Sequence, residues 1–256
     1  MDYRASAIPS PAPMTTKTIG RICDVVRYPV KSMAGTALES AHLGLHGIAG
    51  DRRFAFRRVD DKGGFPFLTA GKFPAMLAYQ PLVKSETNGE PLPTHVRTPS
   101  GAEVELRSEA LRDEIASRSG HNVELMMLRH GIFDDGQVSL ISLATIAGIG
   151  REAGMELDRR RMRANIILET EETATFHEDA WVGATLVFGD GPDAPAVGVT
   201  ARDERCAMVN FDPDTGEQDA RVMKAVVRMN DNYAGVYASV IRPGTIHAGQ
   251  SVHLVR

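Results

Sequence analysis

The chain has 256 residues, of which 43% are hydrophobic and 24% are charged, and its formal net charge is -4. A chain of this length buries one large core or two closely joined ones, and the composition is ordinary for a globular protein. The acidic balance, without a dense block of Lys or Arg, excludes a nucleic-acid binder, because such proteins need a basic surface to displace counterions from phosphates.

The first 18 residues predict a disordered tail. They carry Pro9, Pro11 and Pro13 and contain no apolar signal core. Such a segment does not bury enough apolar surface to offset the entropy of ordering it. Met14 is an alternative start of the chain.

Short segments rich in Val, Ile and aromatic residues follow, bounded by Gly, Pro, Asp or Asn. This pattern is typical of β-strands. The predicted strands are 22–30, 38–45, 52–59, 75–83, 103–106, 123–128, 165–168, 185–188, 196–201, 235–241 and 251–255.

Three helices are predicted among these strands. Ser108 can cap one that runs toward Ser119, and Ser142 can cap a second that ends near Gly154. The third, over 218–229, carries apolar residues on one helical face. Many short strands with few helices predict a mainly β fold with peripheral helices, of the α+β class, around a β-barrel core.

The two cysteines, Cys23 and Cys206, lie far apart in sequence. They are too few for a disulfide scaffold, a structural zinc site or an iron–sulfur cluster, and they favour a reducing compartment. The longest weakly polar stretch, 138–150, is too short to span a bilayer. We therefore expect a cytoplasmic protein without membrane association.

Cys206 lies in the most informative segment, Arg-Cys-Ala-Met-Val-Asn-Phe-Asp-Pro-Asp-Thr-Gly, over 205–216. Its Asp-Pro-Asp-Thr-Gly portion predicts a rigid turn, because Pro213 presets φ and Gly216 tolerates positive φ. The pattern places the cysteine on a loop with Arg205 beside it, which favours a thiolate. The alternative is an inert thiol that packs as a small buried hydrophobe.

Cations stand at the ends of several predicted strands. Lys31 and Ser32 suit a phosphate cradle, although a surface lysine at a turn is the better explanation of this segment taken alone. A buried Arg52 would need an anionic partner, which Asp51, another carboxylate or a ligand phosphate could supply. Residues 162–168 again place a cation and an amide before an apolar strand, and the basic run 159–163 suits either anion binding or a solvated approach to that strand.

Together these segments resemble the MOSC family. In order, the chain carries Tyr-Pro-Val-Lys-Ser at 28–32, Gly-Asp-Arg-Arg-Phe at 50–54, Leu-Thr-Ala at 68–70, Ser-Leu-Ile-Ser-Leu-Ala-Thr at 139–145, Arg-Ala-Asn-Ile-Ile-Leu at 163–168, the Cys206 segment, and Pro-Gly-Thr-Ile at 243–246. The chain is similar to mitochondrial amidoxime-reducing components and to bacterial reductases of N-hydroxylated bases. After the predicted disordered tail over 1–18, the resemblance implies an N-terminal β-rich barrel segment over 19–128 and the MOSC domain with its β-barrel core over 129–256.

The resemblance also implies a molybdenum cofactor, which is molybdopterin carrying molybdenum, and no pyridoxal phosphate. Cys206 would be the protein ligand of the metal, since a soft thiolate suits molybdenum already held by a dithiolene. Asn210 and Asp212 would join Cys206 in the catalytic loop, as weaker contacts or as supports of that loop. The implied cofactor-binding residues are Lys31, Ser32, Arg52, Thr69, Ser139, Arg163, Asn165 and Arg205.

Two positions depart from the family pattern. Gly71 and Lys72 stand where relatives often carry Arg-Gln, so Lys72 is a candidate replacement contact. Val209 and Asn210 stand where close relatives carry two threonines, which predicts a different pocket beside the metal.

The function that the resemblance implies is a two-electron reduction of N-hydroxylated compounds: amidoximes, hydroxylamines and N-hydroxylated bases. The cysteine count leaves no cluster in the chain, so we expect electrons from a separate donor protein of ferredoxin or cytochrome type with its reductase. The alternatives are a MOSC sulfur-transfer or cofactor-carrier protein without reductase activity, and a redox-silent protein that stores the cofactor.

Overall fold

The computed structural model describes residues 15–87 and 89–256. Most of the predicted disordered tail, 1–14, therefore lies outside the described residues. The tail prediction is wrong for residues 16–18, which begin the first strand. They pair with the last strand of the chain: Thr16 lies opposite Val255, and Thr18 lies opposite His253. Pairing with this C-terminal strand therefore holds the segment in place.

Short strands make up most of the described chain, with three α-helices between them. The strands are β1 (Thr16–Arg27), β2 (Thr36–Leu38), β3 (Ser40–Gly44), β4 (Gly47–Ile48), β5 (Phe54–Arg58), β6 (Gln80–Leu82), β7 (His95–Arg97), β8 (Glu103–Glu105), β9 (Val123–Met127), β10 (Val138–Ser142), β11 (Ile166–Thr170), β12 (Thr185–Phe188), β13 (Ala196–Glu204), β14 (Tyr233–Arg242), β15 (Gly244–His247) and β16 (Ser251–Val255). The helices are α1 (Glu109–Ser119), α2 (Leu143–Ala153) and α3 (Arg221–Asn230), with 3-10 turns at Pro74–Ala78, Arg159–Met162, His177–Trp181 and Ala207–Asn210.

Seven strands close into a barrel in the order β1, β11, β10, β14, β13, β12, β16 and back to β1. Neighbouring strands are antiparallel except β10 and β11, which run parallel. Side chains such as Val25, Leu140 and Val236 fill the interior and are fully buried. Gly20 lies where β1 pairs with both β11 and β16, with φ at +149°, and a Cβ there would overlap the carbonyl oxygen of Glu169.

A second core lies in the N-terminal half, built from the β5–β9 pair, the β6–β7–β8 sheet and α1. Phe54, Met76, Leu111 and Ile115 are buried in it. The two halves of the chain interlock, because β1 belongs to the barrel and β3 pairs with β15 from the C-terminal end. The predicted mainly β architecture with peripheral helices is confirmed.

The helix ends follow local capping chemistry. The Ser108 and Ser142 side chains accept hydrogen bonds from the backbone at Leu111 and Thr145, as N-caps do. Both helices end at a glycine in the left-handed conformation, Gly120 for α1 and Gly154 for α2. The first two predicted helices are confirmed. The third begins at Arg221, later than predicted, because the backbone at Gln218 pairs with Phe211.

The strand predictions miss or misassign several segments. Residues 74–78 form a 3-10 helix in place of the first part of the predicted strand 75–83, since Pro74 occupies its first turn. The short strands β4, β7 and β15 were not predicted. Strand β10 was not predicted either, because all five of its residues are buried and a fully buried strand shows no alternation. None of the helices in the described ranges is long and apolar enough to cross a membrane.

Candidate functional site

A cavity of about 390 Å³ opens where one end of the barrel meets the N-terminal half of the chain. It brings together most of the residues that the sequence singled out, from segments far apart in the chain. Those that line it are Lys31, Ser32, Arg52, Thr69, Ser139, Arg163, Arg205 and Cys206. Asn165, Asn210 and Asp212 do not line it.

Cys206 stands at the exposed edge of this cavity, directly after β13 and before the 3-10 turn Ala207–Asn210. The predicted turn is present in the loop behind it. The Asp212 Oδ1 atom accepts hydrogen bonds from the backbone nitrogens of Asp214 and Thr215, each at 3.0 Å, and Gly216 has a φ of +72°. The alternative interpretation of Cys206 as a small buried hydrophobe is wrong, because its side chain faces solvent at the cavity.

Arg205 is turned away from Cys206 into the protein. Its Nε donates to the carbonyl of Ala234 at 2.6 Å, its Nη1 donates to the carbonyl of Met162 at 2.8 Å, and its Nη2 lies 2.9 Å from Asp203 Oδ2. Burial raises the pKa of the Asp203 carboxyl, against the lowering effect of Arg205. Arg205 therefore ties the end of β13 to its neighbours, and its charge is committed to Asp203.

Arg52 is the centre of a buried polar network. Its Nη1 donates to Asp51 Oδ2 at 2.6 Å and to Asn165 Oδ1 at 3.0 Å, and its Nε lies 2.6 Å from Asp134 Oδ2. Burial lowers the pKa of Arg52, but the two carboxylates more than offset this and hold it above its usual value. Both protein partners considered in the sequence, Asp51 and another carboxylate, are present.

Asn165 supports this network from behind the cavity. Its Oδ1 accepts from Arg52 and from the backbone nitrogen of Ser139 at 3.1 Å, while its Nδ2 donates to the carbonyl of Val26 at 3.2 Å. These bonds join the barrel strands to Arg52, so Asn165 positions the wall of the cavity without lining it.

Lys31 and Arg163 differ from the other cations, since within the described residues neither has a carboxylate at ion-pair distance. The Lys31 Nζ donates to the carbonyl of Phe133 at 2.8 Å, and burial lowers the pKa of Lys31. The Arg163 Nη1 donates to the carbonyl of Met33 at 2.8 Å, and burial lowers the pKa of Arg163 to about 10. Two partly buried cations that have no carboxylate at ion-pair distance favour an anionic ligand in the cavity.

Three of the six residues other than glycine that have a positive φ in the described chain line the same cavity. Ser32, Arg52 and Arg163 have φ values of +66°, +44° and +50°, in the left-handed region that side chains other than glycine seldom adopt. Each such residue costs on the order of 1–3 kcal/mol and persists where the surroundings impose it, often at functional sites. All three line the cavity, so their surroundings impose this conformation at the candidate site.

Asn210 and Asp212, predicted beside Cys206 in the catalytic loop, are directed away from the cavity. Asn210 is buried, and its Oδ1 accepts from the backbone nitrogen of Met223 at 2.9 Å. Asp212 closes the turn and lies 3.0 Å from Arg161 Nη2. Neither side chain lines the cavity: both support the loop, which is one of the two roles expected of them, and Val209 lines the cavity in their place. Lys72 does not line it either.

Several lining residues were missed from the sequence. Tyr237 on β14 pairs with Ser139 on β10, which brings its ring to the cavity, and burial followed by the charge of Asp203 raises its pKa. Phe65 comes from the loop after β5. The only signal for Tyr237 was its place in a predicted strand, and no motif marked Phe65. The other missed residues are Asp134, Asp135, Asp203, Glu204, Ala207 and Met208.

A second cavity of about 420 Å³ adjoins the first and shares Arg161, Arg163 and Met208 with it. Its own cations already have carboxylate partners, since Arg159 lies 2.9 Å from Asp24 and Arg160 lies 2.6 Å from Asp214. An anionic ligand is therefore expected in the first cavity, near Lys31 and Cys206.

Family profiles cover nearly the whole chain. The profile of the MOSC N-terminal beta barrel domain matches residues 19–130, and the profile of the MOSC domain matches residues 127–253. None of the curated proteins matches the chain.

The likeness of fold to a solved structure rests on the first of two comparisons. The crystal structure of APC1665, YUAD protein from Bacillus subtilis, has a TM-score of 0.51 at 14% sequence identity, over 95% of this chain and 98% of that chain. The crystal structure of YiiM from Geobacillus stearothermophilus has a TM-score of 0.35 at 19% identity, over 48% of this chain and 55% of that chain.

Proposed function

The chain belongs to the MOSC family, and from that membership we propose that it is a molybdenum-cofactor-dependent reductase of N-hydroxylated compounds. MOSC domains are known in proteins that bind the molybdenum cofactor. The observation that carries the proposal is the pairing, in one cavity, of an exposed thiol at Cys206 with Lys31 and Arg163, two cations that have no carboxylate at ion-pair distance within the described residues.

The residues at this cavity fit the cofactor chemically. Its terminal phosphate is an anion, and Lys31, Ser32 and Arg163 offer two cations and a hydroxyl that would hold it. Cys206 offers the soft sulfur ligand that suits molybdenum, whose other sulfur ligands belong to the pterin. Arg52 and Asn165 would keep this wall in place through their contacts with the barrel.

Bound molybdenum supplies the two-electron redox chemistry. In the overall reaction the N–O bond of the substrate breaks, the oxygen leaves as water, and the substrate side takes up two electrons and two protons. The electrons come from a separate donor protein of ferredoxin or cytochrome type. The Tyr237 hydroxyl keeps its proton, because burial and Asp203 raise its pKa, so it is a neutral hydrogen-bond donor at the cavity wall.

One observation also favours a second function. An exposed thiol such as Cys206 is what a sulfur acceptor needs. A MOSC carrier or sulfur-transfer protein would use the same cavity and thiol but would show no turnover of N-hydroxylated substrates.

The test is to purify the protein from cells that make the cofactor, then measure its molybdenum content and its reduction of benzamidoxime with a chemical electron donor. We expect stoichiometric molybdenum and turnover in the wild type, and loss of both in Cys206→Ala. Cys23→Ala is the matched control, since Cys23 does not line the cavity.

Molybdenum without turnover would favour the carrier function. A wild type without molybdenum, or full molybdenum retention in Cys206→Ala, would contradict the assignment of Cys206 as the metal ligand.

A further inference from the structure

One part of the cavity wall is apolar and open to solvent. Phe65 lines the cavity beside Lys31, and 56% of its surface is exposed. Much of the surrounding wall is charged, with Arg163, Asp135 and Glu204 among its members. A large exposed aromatic side chain at the opening of a charged cavity offers a flat apolar surface that the protein itself leaves uncovered.

The Phe65 ring is held in place by other aromatic rings. It meets the ring of Phe67 edge to face, with centroids 5.4 Å apart, and Phe67 meets Phe133 in the same way at 5.1 Å. The backbone is fixed as well, since Arg58 Nη2 donates to the carbonyl of Phe65 at 3.1 Å. Although Gly63 and Gly64 precede it, the Phe65 ring packs against Phe67, which in turn packs against Phe133.

A contact with Lys31 accounts for the position of the Phe65 ring but not for its exposed surface. Its Nζ lies 5.7 Å from the centroid of the Phe65 ring, which is within the range of a cation–π contact. That contact positions Phe65 over the cation of the proposed cofactor site. It does not cover the ring, because more than half of the side chain remains accessible.

We propose that Phe65 determines substrate specificity, and that the preferred substrates carry the N-hydroxylated group on a planar conjugated ring. The substrate ring stacks on Phe65 while its N–OH group enters the cavity toward Cys206. This inference rests on the proposed reductase function. It narrows the substrates to aryl and heteroaryl compounds, and it makes simple aliphatic amidoximes poor substrates.

Stacking of a planar ring on an aromatic side chain changes affinity by about tenfold on alanine substitution. In the molybdenum-loaded protein we therefore expect Phe65→Ala to raise the KM for benzamidoxime about tenfold and to leave kcat unchanged. The KM for acetamidoxime, which has no ring, should change less than twofold. Phe65→Trp should restore the low KM for benzamidoxime, and Phe65→Leu should not.

Leu45→Ala is the matched control, because Leu45 is 64% exposed and does not line the cavity. Molybdenum content, measured for every variant, shows whether the cofactor is retained. Equal changes in KM for the two substrates, or no change for benzamidoxime in Phe65→Ala, would overturn the role of Phe65.

Calorimetric binding of benzamidoxime separates this inference from the proposed function. If the loaded wild type turns over neither substrate, the reductase proposal fails. Benzamidoxime binding that weakens about tenfold in Phe65→Ala would still support Phe65 as the binding surface for planar rings. Binding that is the same in both proteins would overturn the inference, whatever the turnover.

Discussion

The guanidinium group of Arg163 lies over the ring of Tyr28, with its central carbon 4.3 Å from the ring centroid. The two residues are 135 positions apart in the sequence and belong to different halves of the chain. The Tyr28 ring also lies 5.1 Å from the guanidinium carbon of Arg52. One buried ring thus supports two of the cations at the cavity.

The first prediction concerns this ring. Tyr28→Leu should weaken the binding of inorganic phosphate to cofactor-free protein by about fivefold to thirtyfold, because a desolvated cation–π contact stabilises by about 1–2 kcal/mol. Tyr28→Phe keeps the ring and should bind phosphate like the wild type. Isothermal titration calorimetry checks this, and equal loss in both variants would show that the hydroxyl matters and the ring does not.

The second prediction separates stability from binding at Ser32. This buried residue has a φ of +66°, which glycine adopts without strain. Ser32→Gly should stabilise the cofactor-free protein by up to about 1 kcal/mol and reduce its molybdenum content when produced with the cofactor. Chemical denaturation and metal analysis check the two effects. A destabilised variant with full molybdenum would contradict the assignment of Ser32 to the ligand.

The third prediction concerns pH. Burial lowers the pKa of Lys31 from its ordinary value of 10.5, so its positive charge is lost at a lower pH than that of an ordinary lysine. Phosphate affinity should therefore fall in the wild type as the pH rises through this lowered pKa. In Lys31→Arg the fall should be smaller, because a guanidinium group keeps its proton to higher pH. Lys31→Met should bind weakly at every pH, and a pH profile unchanged in Lys31→Met would contradict the role of Lys31.

The fourth prediction concerns Gly235, which has a φ of +82°. A Cβ at this position would lie 2.5 Å from the carbonyl oxygen of Leu140 and 3.0 Å from Arg205 Nη2. Gly235→Ala should destabilise the protein by more than about 2 kcal/mol and displace Arg205, which holds the strand before Cys206. Thermal denaturation and molybdenum content check both effects. Gly191→Ala is the control, since a Cβ there meets nothing within 4 Å although its φ is also positive, at +98°.

The fifth prediction concerns Glu178, whose side chain is fully buried at the start of α2. Its carboxylate accepts from the Ser142 nitrogen at 3.2 Å, the Ser142 hydroxyl at 3.0 Å and the Thr145 hydroxyl at 2.8 Å. Glu178→Ala leaves these donors without a partner and should cost about 3 kcal/mol of unfolding free energy. Glu178→Gln should cost less, since its amide oxygen still accepts. The molybdenum content of the folded fraction should stay at the wild-type level, because Glu178 lies outside the cavity.

The parts of the fold that could be predicted from sequence are those that depend on neighbouring residues. Helices α1 and α2 begin at Ser108 and Ser142 and end at Gly120 and Gly154, because capping involves residues within one turn of each other. Strand β10 was not predicted, since its burial comes from strands β11 and β14, which are distant in sequence.

The candidate site also contains residues that local sequence patterns indicate and residues that they do not. The turn after Cys206 follows from Pro213 and Gly216, and the motifs around Lys31 and Arg163 placed cations at strand ends, so local chemistry alone indicated those residues. Whether these residues hold the cofactor stays a prediction. The roles of Asn210 and Asp212 could not be predicted in this way. No local pattern indicates that Asn210 accepts a hydrogen bond from Met223 or that Asp212 pairs with Arg161.

The sequence by itself determined which residue types are available to bind an anion and a soft metal. The tertiary structure decided which of them share one cavity, because closing the barrel through β1 brings Tyr28 and Arg52 against Arg163. It also decided that Phe65 and Tyr237 form part of the wall, since contacts between distant segments follow from packing and not from any local pattern.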